Sequence, residues 1–252
     1  MPGLLVLSPH LDDAALSCGG AIARWVREGG QATVVTLFAG DDPESPRSKL
    51  EQDLARWWGL PLGSVVAHRR EEDLAASAEL GATPLHGPLR EAPYRRDAAA
   101  GKPLFPTLAS LFAASAPEET ELARELEAFL ATLPAAEAVW APLGVGGHVD
   151  HRRVRAAAET AYGPRLAYYE EYPYAARRWG AVWRVTRPRR AWRSETVPLA
   201  ESDVAARWRA IACFRSQLAA LFGGADRGER ALRRRIARQG GERLWRRRQG
   251  VA

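Results

Sequence analysis

The chain is poor in the residues that build covalent or membrane-spanning frameworks. Only two of its 252 residues are cysteine, Cys18 and Cys213, and they form no C-x-x-C pair. That excludes a disulfide scaffold, and it fits a reducing, cytoplasmic setting. Both cysteines read as small core residues. No apolar run reaches the roughly 18 residues of a membrane span. The N-terminal stretch Met1-Pro2-Gly3-Leu4-Leu5-Val6-Leu7 has no basic segment before its short apolar run, so it reads as a first strand and not a secretory leader. Lysine is nearly absent: all but two of the 36 basic residues are arginine. The net charge of +6 permits a nucleic-acid partner, but the arginines are scattered and carry no recognition motif, so none is expected.

What is present is an ordinary globular composition, 46% hydrophobic and 26% charged, enough for one domain over residues 1–252. Its core is expected over about 3–175, with a C-terminal extension over about 176–252. Leu4 to Leu7 forms a continuous apolar strand, Asp13 to Glu28 a helix stopped by Gly29-Gly30, and Ala32 to Phe38 a second β-branched strand. That is a βαβ unit, the start of a Rossmann-like α/β fold with a mostly parallel sheet flanked by helices. A loop over Asp41 to Pro46 and a helix from Ser48 to Trp58 follow. The pattern then predicts a strand over Val65 to His68, a helix over Glu71 to Leu80 and a long irregular loop over Ala82 to Phe105. Glu118 to Leu133 reads as a helix, Ala138 to Ala141 as a buried strand, the stretch from His151 to Tyr162 as a helix, and Leu166 to Glu170 as another strand. Trp179 to Val197 suggests antiparallel pairing at a sheet edge, Asp203 to Phe222 one helix, and Arg227 to Arg248 a partly solvated helix.

Two short segments carry the chemistry: Ser8-Pro9-His10-Leu11-Asp12-Asp13 and His148-Val149-Asp150-His151. They hold three of the five histidines, each near aspartate and each just after a strand. Ligands in open α/β sheets bind outside the carboxyl ends of the strands, so the two segments are expected to converge. Imidazole and carboxylate suit zinc or a similar divalent ion, and a catalytic site needs three protein ligands and an open position. The expected ligands are His10, Asp13 and His151. A metal lowers the pKa of bound water toward about 7. Asp12 is then free as general base, His148 can stabilise the oxyanion or protonate the leaving amine, and Asp150 can hold an imidazole in one tautomer. Taken singly, either segment could instead be a polar helix start, with His-x-Asp-Asp acting as an N-cap. His68 and His86 read as surface or loop residues.

At these residues the sequence resembles the PIG-L (LmbE-like) N-acetylglucosaminyl deacetylases, a zinc-dependent family. Its first motif, commonly Ala-His-Pro-Asp-Asp-Glu, stands here as Pro9-His10-Leu11-Asp12-Asp13-Ala14, and its His-x-Asp-His as residues 148–151. The resemblance implies one Zn2+ held by His10, Asp13 and His151, with Asp12 as base and His148 at the tetrahedral intermediate. Arg69-Arg70-Glu71-Glu72, with Ala76 and Leu80-Gly81, is similar to a family helix whose first Arg contacts substrate, here Arg69. Glu91-Ala92-Pro93-Tyr94-Arg95 is similar to a loop near the sugar pocket, which adds Glu91, Tyr94 and Arg95 as substrate-binding candidates. The implied activity is removal of acetyl from an N-acetylglucosamine-type conjugate. The rivals are hydrolysis of another amide or ester, and binding of a sugar or nucleic acid without turnover. Leu11 and Ala14 depart from the motif, and neither is an expected ligand. A homo-oligomer stays open.

Overall fold

The computed structural model describes residues 1–41, 47–114, 117, 119–177 and 180–248. In chain order the elements are β1 (Gly3–Ser8), α1 (Asp13–Arg27), β2 (Gln31–Thr36), α2 (Lys49–Trp58), α3 (Val65–Leu80) and β3 (Thr83–His86). Next come α4 (Thr120–Ala131), β4 (Ala138–Pro142), α5 (Val149–Tyr162) and β5 (Leu166–Tyr169). The C-terminal part adds α6 (Tyr174–Arg177), α7 (Ala181–Val185), β6 (Trp192–Val197), α8 (Glu201–Cys213), α9 (Arg215–Phe222), α10 (Ala225–Gln239) and β7 (Glu242–Arg247).

Among the described residues seven strands form one sheet, in the order β3-β2-β1-β4-β5-β7-β6. The first five are parallel, while β7 runs antiparallel to both β5 and β6. The sheet is therefore Rossmann-like with an antiparallel C-terminal edge, as the sequence pattern predicted. Alternation along the strands feeds two cores. Leu4, Val6 and Val34 pack on one face with α1 and α8, and Leu5, Leu7, Val35 and Val139 on the other with α4 and α5. The order turns back between β1 and β4, and their carboxyl ends open a crevice there.

Several elements differ from expectation. Val65 to His68 is the first turn of α3, not a strand. Its short apolar run is buried helix surface, and periodicity cannot separate the two at that length. The expected loop over 82–105 contains β3, which gains its order from parallel pairing with β2, Val34 opposite Pro84. The single helix expected over 203–222 breaks at Phe214 into α8 and α9. The arginine-rich tail is half helix and half strand: α10 ends at Gly240, and Glu242–Arg247 pairs with both β5 and β6. Of the edge segment expected over 179–197, Ala181–Val185 is helical and Trp192–Val197 is strand, while Trp179 lies outside the described residues. The expected loop over 41–46 lies there too, except for Asp41. Among the described residues no helix is long and apolar enough to cross a membrane.

Candidate metal and catalytic site

The turn after β1 is built by local hydrogen bonds. Ser8 Oγ donates to the His10 carbonyl at 2.8 Å and accepts from the Ala14 amide at 3.1 Å, joining the strand end to the first turn of α1. The His10 amide donates to Asp13 Oδ2 at 3.0 Å. Between them Asp12 adopts φ 139°, the only positive φ outside glycine among the described residues. Such backbone costs on the order of 1–3 kcal/mol and concentrates at functional sites. After β4, Gly144 and Gly147 at φ 80° and 76° turn the chain into α5, whose first residues carry Asp150 and His151.

The two segments do meet. Asp13 Oδ2 lies 3.2 Å from His10 Nδ1 and 3.2 Å from His151 Nε2. The far nitrogens of both rings donate to buried carboxylates: His10 Nε2 to Asp150 at 2.9 Å, and His151 Nδ1 to Glu171 at 3.2 Å. With those nitrogens protonated, the other nitrogen of each ring, His10 Nδ1 and His151 Nε2, faces Asp13. His151 Nε2 is buried without a hydrogen-bond partner. This is the geometry of imidazoles oriented by outer carboxylates around a cation. Two ligands of a tetrahedral zinc, each about 2.0–2.1 Å from it, stand roughly 3.3 Å apart, which fits both separations. His148 adds a third imidazole, and one nitrogen from each of His10, His148 and His151 lie within 4.8 Å of one another.

The electrostatics agree with a cation-accepting cluster. Burial pushes Asp13 upward, but His151 and His10 outweigh it and hold its carboxyl well below the usual range. Burial lowers His151, yet Asp13 and Glu171 raise it to about 9. Burial and the neighbouring His10 hold His148 well below an ordinary histidine, so its ring is neutral at pH 7. Burial and Asp13 push Asp12 up to about 8, while Arg69 and His10 pull it down. A cation held by Asp13 would add to that downward pull.

A cavity of about 370 Å3 opens above these groups. It is lined by His10, Asp12, Asp13 and His148, together with Arg69 and Glu91. Arg69 is buried, pairs with Glu91 at 2.6 Å, donates to the Leu11 carbonyl at 2.9 Å and stands 3.9 Å from Asp12. Its guanidinium lies over the Trp58 ring. Tyr94 and Arg95 are not in this lining. Arg95 instead braces Asp150 from behind, at 2.7 Å, and pairs with Glu119 at 2.6 Å. The Ala92 amide donates to Asp150 as well, so this loop fixes the carboxylate that holds His10. Leu11 is wholly buried with Ala39, Val66 and Tyr94, and Ala14 faces the core. His86 pairs with Asp73, remote from the cluster. Sequence reasoning passed over Glu171, which also accepts the Gly144 and Val145 amides. Its signal was its place just past β5, one more strand end on the same edge.

The family model described as PIG-L, GlcNAc-PI de-N-acetylase, matches residues 5–162. The chain belongs to the PIG-L family. Among curated family relatives, 2'-N-acetylparomamine deacetylase of Streptomyces fradiae is 34% identical over 69% of this chain and 58% of its own length. The 1D-myo-inositol 2-acetamido-2-deoxy-alpha-D-glucopyranoside deacetylase of Saccharomonospora viridis is 32% identical over 66% of this chain and 61% of its own. The chain thus spans about three fifths of the length of these relatives. The crystal structure of the zinc-inhibited form of teicoplanin deacetylase superposes with a TM-score of 0.79 at 25% identity, covering 99% of this chain and 100% of that one. Both the parallel core and the C-terminal extension therefore have counterparts in that PIG-L fold.

Proposed function

We propose that the chain is a zinc-dependent deacetylase that hydrolyses the N-acetyl group of an amino-sugar conjugate. The observation that carries this reading is the Asp13 carboxylate facing His10 Nδ1 and His151 Nε2 at 3.2 Å each, beside a strained Asp12 that lines the cavity. His10, Asp13 and His151 would hold the zinc. Bound there, it supplies Lewis acidity and lowers the pKa of water toward about 7.

The remaining work falls to side chains of this chain. Asp12 takes the proton of the attacking water and returns it to the departing amine. Arg69, buried and 3.9 Å away, favours the ionised form of Asp12 and restrains it. His148 Nδ1 accepts the Asp150 amide hydrogen at 3.2 Å, so the proton of this neutral ring sits on Nε2. That N–H can donate to the carbonyl oxygen as it becomes negative. Glu91, which lines the cavity, is suited to the sugar hydroxyls, while Arg95 supports the site through Asp150 and Tyr94 packs against Leu11. The two curated relatives named above act, by their names, on N-acetylated compounds with different remainders. That supports the acetamide as the reacting group and leaves the aglycone open.

The test is a screen of N-acetylated amino-sugar conjugates with zinc-loaded protein, reading acetate and free amine. Release from at least one conjugate, absent in Asp12→Ala, supports the reading. No release from any conjugate, or full activity in Asp12→Ala, overturns it.

A further inference from the structure

Helix α1, which presents Asp13, is not continuous. It breaks at Cys18, with φ −138° and ψ 19°. A break inside a buried helix strands carbonyls before it and amides after it, and each unpaired buried group is costly. Here two side chains of the C-terminal extension take up both sets. Arg207 of α8 donates through Nε to the Ala15 carbonyl at 3.4 Å and through Nη2 to the Leu16 carbonyl. Glu242 of β7 accepts the Gly20 amide at 3.0 Å and the Ala21 amide at 2.8 Å. Arg207 Nη1 and Glu242 Oε1 then pair with each other at 2.7 Å. Both residues are almost wholly buried, at 2% and 4% exposure.

The helix is shaped to receive this pair. A Cβ on Gly19 would stand 3.1 Å from Arg207 Cγ, and one on Gly20 would stand 2.7 Å from Glu242 Oε1 and 2.6 Å from Leu199. The short segment before the break is also tied across the cavity, because Ser17 Oγ accepts the Tyr172 amide at 3.2 Å, next to the Glu171 that holds His151. The five residues from Asp13 to Ser17 are thus a separately held piece of helix. Arg207 holds two of its carbonyls and Glu242 the amides beyond the break, each more than 190 residues from its partners in sequence and outside the 5–162 stretch that matches the family model.

We propose that Arg207 and Glu242 are positioning residues for the metal site: by stabilising the break in α1, they fix the direction from which Asp13 approaches the ion. The inference rests on the metal reading above. It predicts that Glu242→Gln, which leaves one backbone amide facing an NH2 group, weakens zinc binding about tenfold or more, the loss typical when a group behind a ligand is removed. Arg207→Lys, which keeps the charge but cannot reach both carbonyls and Glu242 together, gives a smaller loss in the same direction. Glu201→Gln, in an exposed pair of the same extension, leaves affinity unchanged.

The experiment is zinc affinity by chelator competition on purified parent and variants, with the visible spectrum of the cobalt-substituted forms and the melting temperature of the metal-free forms. Weaker zinc binding with an altered cobalt spectrum, in variants that still melt cooperatively, supports the proposal. Parent-like affinity and spectrum in Arg207→Lys or Glu242→Gln overturn it, even where the metal-free melting temperature falls, because that is the signature of a merely structural pair. Should Glu242→Gln fail to fold, Arg207→Lys decides alone. Absence of zinc binding by the parent overturns the metal reading itself, and is thereby distinct from failure of the clamp.

Discussion

The carboxyl edge of the parallel strands and the C-terminal extension are both rich in charge, but they handle it in opposite ways. At the edge, like and unlike charges are pressed together without full compensation. Asp12 and Asp13 are adjacent, three imidazoles share a few ångströms, and His151 Nε2 has no hydrogen-bond partner. Where the extension meets the core, buried charge is neutralised: Glu170 accepts from Arg235, Arg243 and Trp245 of the extension, and Glu242 accepts from Arg207 and from two amides of α1. An uncompensated buried cluster is unfavourable unless something binds to it, whereas a compensated one only holds elements in place. The contrast marks where a ligand belongs before any relative is consulted.

Substitutions can break that contrast, and the largest effect is expected at the edge. His151→Ala removes the buried imidazole whose Nε2 faces Asp13, so metal analysis should find zinc lost and the chelator-induced drop in melting temperature abolished. Asp12→Asn should keep zinc but lower kcat by about 10²–10⁴, the range for removal of a general base. Steady-state kinetics with metal content measured on the same sample check this. Asp150→Asn sharpens the comparison, since Asp150 links the edge to the Arg95–Glu119 pair. Zinc affinity should fall by about 10–100-fold through loss of the His10 acceptor, as read by chelator competition. The smallest effect belongs to the extension surface. Arg233→Ala, which loses pairs to Glu201 and Glu229, should cost no more than about 1 kcal/mol in denaturant unfolding and leave zinc affinity and turnover unchanged. A large loss of zinc from Arg233→Ala would erase the distinction between the two regions.

Legibility in the sequence followed the same division. The residues of the edge were readable because each motif is local: His10, Asp12 and Asp13 lie within four positions, His148, Asp150 and His151 within four more, and each follows an apolar strand. Glu171 carried only its place just past a strand end, which singles out no residue type, and so was passed over. The pairing of Arg95 with Asp150 was not legible for a related reason. A loop motif gives proximity to the pocket but not which side of Asp150 a side chain takes. In the extension, Glu242–Arg247 resembled helix because its arginines carry no alternation, and only pairing with β5 and β6 makes it a strand. The Gly19-Gly20 pair inside a helical pattern was the one local trace of the break in α1, and nothing nearby names its partners.

By itself, then, the sequence determined the opening βαβ unit, the strands β4 and β5 and the two halves of the candidate site, since apolar periodicity and short-range spacing are properties of neighbouring residues. Tertiary structure decided which nitrogens face Asp13, which carboxylates stand behind them and how the broken first helix is held. Those depend on contacts such as His10 to Asp150 and Arg207 to Leu16, between groups 140 and 191 positions apart. Contacts of that range are selected by packing of the whole sheet and its helices, and they leave no periodic mark along the chain.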